Sequence, residues 1–335
     1  MSVARPPTPA FGPGAFRGLR TRRMSHAMVP EGRRKLPPEA VLVFITMIWG
    51  FTFLVIKLGL AHGGALALVG LRFAIGAVLL VVITRPSWPR LAEWRAGFLI
   101  GASLFAGYAL QAQGLTTIAS SRSAFFTALY VPLVPLLQLA LFRKPPGWTG
   151  LLAIALAFAG LALLAHPKGG VFQLSLGYAL TIAAGLACAF EIILLSRYAP
   201  HCNPQRLAVV QMAVVAALSL AASFVTGAAT PWSYPPFWFS TIALGAATSL
   251  IMFAQAWGQA RVPALRASVI YAMEPVWAGI VGAIAGDPMT LATLAGAGMI
   301  VTGILVEPFR RFLRRKAAPP ESAPAARQTS GGTPG

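Results

Sequence analysis

The chain has 335 residues, 57% of them hydrophobic and only 10% charged, with a mean hydropathy of +0.71, which excludes a soluble globular domain, where about 25% charged residues is ordinary. The net charge of +19 does not indicate nucleic acid as a partner, because the basic residues gather at the ends of apolar segments. Two cysteines and four histidines lie scattered along the chain, so no disulfide, metal site or catalytic triad can be assembled. With no phosphate-binding loop, neither a cofactor nor ATP-driven pumping is expected.

In chain order, residues 1–38 carry eight basic residues and Pro6, Pro7, Pro9 and Pro13. They have too little apolar content to pack a core, so a disordered cytoplasmic tail is expected there, anchoring topology and lying near anionic membrane lipid. Met24 and Met28 are alternative starts. A window of about 19–20 residues then finds ten spans: 40–60, 65–84, 95–115, 121–142, 147–166, 175–196, 207–226, 237–259, 265–286 and 290–308. A second basic, disordered tail is expected over 310–335.

If the N-terminus is cytoplasmic, 23 of the 27 lysines and arginines fall in cytoplasmic segments; Lys57, Arg72, Arg122 and Lys168 are the exceptions. This positive-inside pattern places both termini in the cytoplasm of a bacterial cytoplasmic membrane, which requires an even number of spans. The stretch 121–145 aligns without gaps on 264–288 at an offset of 143 residues, matching Pro132 to Pro275, Pro145 to Pro288 and, further on, Gly160 to Gly303. The expected fold is therefore an all-α polytopic membrane protein of ten transmembrane helices, built as two five-helix repeats, 39–166 and 167–309. An odd number of spans per repeat makes the second copy inverted, the geometry that underlies alternating access.

The polar residues inside spans are the candidate functional groups. A carboxylate in hydrocarbon is costly and normally faces a partner or a wet cavity. Glu274 lies mid-span, followed by Pro275, which removes a backbone donor and kinks the helix; Val131 occupies the equivalent place before Pro132. Glu274 is thus a candidate substrate-binding group and proton-coupling group, and Pro132 and Pro275 are candidate hinges. In span three, Tyr108 and Gln111 share a helix face; in span eight, Gln255 and Gln259 do the same. Each pair either lines a cavity or joins helices. Trp49 and Trp277 are the tryptophans that fit a cavity, whereas Trp88, Trp94, Trp148, Trp232 and Trp238 fit the aromatic belt. Lys57 is expected to reach the headgroups, and Glu191, about one turn from the cytoplasmic end of span six, the membrane interface; its alternative role is a second proton-titrating group. Gly150, Gly160, Gly296, Gly298 and Gly303 offer close helix packing or a homodimer face.

Three weak signals come in a specific order: Trp49-Gly50 in span one, Arg72-Phe73 in span two and Glu274-Pro275 in span nine. With them the chain resembles an EamA-type member of the drug/metabolite transporter (DMT) superfamily over roughly residues 40–308. That resemblance implies a secondary transporter exporting or exchanging small metabolites or amino acids, and it makes Arg72 a structural arginine; its alternative role is anion binding. Family halves often end their fourth span in Gly-Glu; here the second half has Gly286-Asp287 and the first Arg143-Lys144, so a paired role for those positions is in doubt. A membrane-embedded enzyme acting on lipid-linked substrates is the alternative function, though the eight acidic residues are dispersed rather than clustered at one interface.

Overall fold

The computed structural model describes residues 36–118, 123, 126–143, 145–165, 175–227, 233–284 and 290–317. The N-terminal tail before residue 36 and the tail beyond 317 lie outside the described residues. Among the described residues, eleven α-helices and one short 3-10 turn have defined bounds, and there is no strand. Helices are the expected outcome, since a lone segment in lipid can satisfy its backbone groups only internally.

The first half comprises α1 (Pro38–Leu60), α2 (Ala65–Thr84), α3 (Leu91–Leu115), α4 (Tyr130–Phe142) and α5 (Trp148–Ala165). The second comprises α6 (Leu176–Tyr198), α7 (Pro204–Val225), α8 (Pro235–Gln259), the consecutive α9 (Ala264–Tyr271) and α10 (Glu274–Ile284), and α11 (Leu291–Ala317). α1, α2, α3, α6, α7 and α8 are long and apolar enough to cross a membrane, while α4, α5 and α11 contain shorter apolar helices. All ten expected spans are thus occupied by helix. The last helix continues to Ala317, past the apolar run and into the stretch where disorder is expected from residue 310. Starts follow local chemistry: Pro38, Pro204 and Pro235 stand in first turns, where a missing N–H costs nothing. The Asn203 side chain caps α7, accepting from the Gln205 and Arg206 amides at 3.0 and 3.2 Å.

Spans four and nine are broken rather than merely kinked. Between α9 and α10 the chain tightens into 3-10 geometry, the Met273 amide donating to Ile270 O at 3.0 Å. Pro275, just beyond, has no N–H to return to the Tyr271 carbonyl, so the α-ladder cannot run through. The first half does the same one residue later in the repeat register: Val131 N donates to Ala128 O at 3.0 Å, immediately before Pro132. Residues Ser123, Phe126 and Thr127 are helical ahead of that break.

α3 packs on α6 and α7, α8 packs on α1 and α2, α4 meets α6, and α10 meets α1. The remaining large contacts pair α2 with α7 and α5 with α11. Under the 143-residue offset each of these contacts maps onto another or onto itself. The α5–α11 contact is reciprocal to the residue: a methyl on Gly160 would stand 2.5 Å from Gly296 O, and one on Gly303 would stand 2.9 Å from Ala153 O. Gly298, expected to share that packing surface, is exposed with nothing within 4 Å of its side-chain position. It lies on the opposite side of the helix from the Gly296 and Gly303 contacts. Large apolar side chains such as Val82, Phe224 and Phe239 stay exposed on the outside of the bundle, the surface a lipid-facing protein needs. Arg206 pairs with Glu93 at 3.3 Å and Arg266 with Glu39 at 3.0 Å, at the end of the bundle where the basic residues collect.

Candidate functional site

A cavity enclosing about 590 Å³ of empty space, its mouth included, lies among α1, α3, α4, α6, α8, α9 and α10. It sits where the two broken helices come together. The segment before α4 contributes Thr127 and α4 itself Tyr130; α9 contributes Tyr271, and α10 opens with Glu274. A carboxylate on the first residue of a helix faces its positive end, which favours an anion there. Among the described residues, no hydrogen-bond donor is directed at the Glu274 carboxylate.

Five of the six candidate substrate-binding residues line this cavity: Glu274, Trp49, Tyr108, Gln111 and Gln255. Trp49 Nε1 donates to Tyr108 Oη at 2.9 Å, and its ring meets Tyr271 edge-on at 5.4 Å. Gln111 Nε2 donates to Thr127 Oγ1 at 3.0 Å, tying α3 to the broken fourth span. Trp277, the sixth, is turned toward α1, where its Nε1 donates to Thr46 Oγ1 at 3.0 Å, and it is not part of the lining. The glutamine stripe divides in two. Gln255 lines the cavity, whereas Gln259 joins helices, donating to Ile192 O and to Ser196 Oγ and accepting from Tyr271 Oη at 2.9 Å. Gln113 is exposed.

Arg72 is buried, with its guanidinium carbon 4.5 Å from the Tyr108 ring centroid and 5.1 Å from that of Phe73. It does not line the cavity; it backs the residue that does, so the order Arg72, Tyr108, Trp49, Tyr271 runs through four helices. A desolvated cation over an aromatic face is worth about 2 kcal/mol, enough to hold Tyr108 in one rotamer. Pro132 and Pro275 stand at the breaks, each next to a lining residue or within two residues of one.

Glu191 is the main departure from expectation. Only 3% exposed, it faces the cavity, and Gln255 Nε2 donates to its two oxygens at 3.2 and 3.4 Å. The helix continues to Tyr198 and then into a 3-10 turn, so Glu191 lies two turns from the end rather than one. Tyr130, Tyr271 and Cys188 also line the site without having been singled out. Two of them carried a usable signal: Tyr271 precedes Glu274 by three residues and Cys188 precedes Glu191 by three, the spacing that shares a helix face.

Comparison with known proteins gives a consistent result. The model described as EamA-like transporter family matches residues 38–165 and again 175–306. An uncharacterized transporter of Archaeoglobus fulgidus is 26% identical over 283 residues, covering 84% of this chain and 88% of its own length. A probable amino-acid metabolite efflux pump of Salmonella typhimurium is 28% identical over 297 residues, covering 82% of this chain and 96% of its own. A protein of known crystal structure, 18% identical, has the same fold, with a TM-score of 0.70 over 84% of this chain and 98% of the other.

Proposed function

The chain belongs to the EamA-like transporter family, and from that premise we propose that this membrane transporter is a secondary carrier working by alternating access. It exports or exchanges small metabolites or amino acids across the bacterial cytoplasmic membrane, with both termini in the cytoplasm. The observation that carries the reading is the placement of the central cavity at the two helix breaks. Both broken spans contribute to its wall, so small changes at the breaks would reshape the site and its access together. The doubled family match and the offset-related contacts support two inverted repeats, whose exchange of conformation opens the cavity to one side and then the other. Pro132 and Pro275 are the hinges of this cycle.

Glu274 is the coupling group, since a proton and a substrate would compete for the same carboxylate. The test is transport by purified protein in proteoliposomes. Substrate-stimulated counterflow is expected, which neither a pore nor a membrane enzyme acting on lipid-linked substrates displays. Glu274→Gln keeps the shape of the side chain while removing the titrating group, so the variant should lose pH-driven uptake and keep counterflow at substrate concentrations high enough to offset its weaker binding. Unchanged pH-driven uptake in that variant would reduce Glu274 to a packing residue.

A further inference from the structure

Carboxyl groups stand on two sides of the cavity, and among the described residues no lysine or arginine lines it. Glu191 comes from α6 and Glu274 from α10, and Cys188 and Tyr130 line the same cavity. The buried cation Arg72 is engaged with the Tyr108 ring, behind the wall, and is not itself a lining residue. The only donor directed at either carboxylate among the described residues is the neutral Gln255 amide.

Of the buried polar atoms without a partner among the described residues, two belong to the cavity wall: Tyr130 Oη and Gln255 Oε1, on side chains 4% and 1% exposed. With the carboxylates of Glu191 and Glu274, the Gln255 oxygen makes a site whose acceptors outnumber its donors, the Tyr130 hydroxyl being able to donate as well as accept. Burying acceptors without partners is costly, so this wall favours a ligand that donates hydrogen bonds. An ammonium group carries three donors and no acceptor, together with the charge that two carboxylates lack. Trp49 and Tyr271 add aromatic rings to a wall that also holds Phe53, Ile56, Leu104 and Ile192, and such rings attract a cation and pack an apolar group.

Resting on the reading of this cavity as the transport site, we propose that its substrate is an organic ammonium without a carboxylate. The nitrogen sits between Glu191 and Glu274, within reach of Gln255 Oε1, and the apolar part packs against Trp49 and Tyr271. An amino acid is the poorer ligand, because its carboxylate would enter a low-dielectric space opposite two acids, with no lysine or arginine among the described lining residues to meet it.

The test uses the full chain in lipid nanodiscs and three probes sharing one phenyl group: phenethylamine, phenylalanine and 3-phenylpropionate. Phenethylamine should bind, phenylalanine should bind at least about tenfold more weakly, and 3-phenylpropionate should not compete. Glu191→Gln and Glu274→Gln should each weaken phenethylamine by about tenfold or more, with thermal unfolding close to that of the parent protein. Trp49→Ala keeps both acids and reports on the cavity as such. If phenylalanine or 3-phenylpropionate binds as tightly as phenethylamine and Trp49→Ala weakens that binding, the ammonium assignment is overturned while the cavity remains the site. If phenethylamine binding is indifferent to all three variants, the cavity reading falls and the assignment with it. Absence of binding by all three probes at about 10 mM overturns the assignment as well.

Discussion

Gly50 is where the span-one motif meets the span-nine motif, and enlarging it tests how the site is held. A methyl group at residue 50 would stand 2.7 Å from Trp277 Cβ, 3.0 Å from Ala278 N and 3.1 Å from Glu274 O. Ordinary contact begins near 3.4 Å, so the first of these is short by about 0.7 Å. The three atoms are backbone or fixed directly to it, so no rotamer change relieves the clash; α10 must move away from α1. Overpacking of this kind costs about 1–3 kcal/mol, and it displaces the helix start that carries Glu274. Gly50→Ala is therefore expected to lower the thermal unfolding temperature of the purified protein and to weaken substrate binding in counterflow. Gly279→Ala on the same α10 is the control, because nothing lies within 4 Å of that position. It should be neutral or up to about 1 kcal/mol stabilising through helix propensity. If Gly50→Ala unfolds at the temperature of the parent and of Gly279→Ala, the close approach of α1 to α10 is wrong.

Glu93 is a second target. It is buried, accepts from Arg90 N at 2.7 Å and Asn203 N at 3.1 Å, and pairs with Arg206. Glu93→Ala strands both amides and should cost about 2–3 kcal/mol in equilibrium unfolding, and a double-mutant cycle with Arg206→Ala should show coupling; simple additivity would remove the ion pair from the account. Arg85 and Arg143 end α2 and α4 in the left-handed region, at φ 42° and 52°. That conformation costs a side-chain-bearing residue about 1–2 kcal/mol, more than the roughly 0.3–1 kcal/mol a cation gains at a helix C-terminus. Arg85→Gly and Arg143→Gly should therefore each raise the unfolding temperature, and a fall would reverse that ranking. Burial pushes the Cys202 thiol up, with Glu93 adding to the effect and Arg206 opposing it. Because the folded state holds this proton more tightly, its contribution to stability is complete below the ordinary thiol range, about 8.5, and is lost as pH rises through the higher folded value. Maleimide should label Cys202 more slowly than a free thiol at the same pH, and Cys202→Ser should flatten the alkaline decline in stability.

The sequence by itself determined the number, order and approximate ends of the helical segments, because insertion into lipid depends on apolar content summed along one dimension. The 143-residue offset, Pro132 and Pro275 marked where two spans would be interrupted, since a missing N–H acts locally whatever surrounds it. Five cavity residues were legible for a related reason: Glu274, Gln111, Gln255, Tyr108 and Trp49 are polar or amphipathic groups at depths where lipid offers them no partner. Which way each helix turns was decided only in the tertiary structure. In a soluble helix the polar face identifies the buried one, but here the lipid-facing and protein-facing sides are both apolar, so rotation leaves almost no trace in the pattern. That is why Gln259 joins α8 to α6 and α9 while Gln255 lines the cavity, why Trp277 turns to Thr46, and why Gly298 faces outward beside the tightly packed Gly296. It is also why Glu191, placed by its distance from a span end, proved to be the second carboxylate of the cavity: its direction was set by the packing of α6 against α3 and α4, and no local feature of the sequence records that contact.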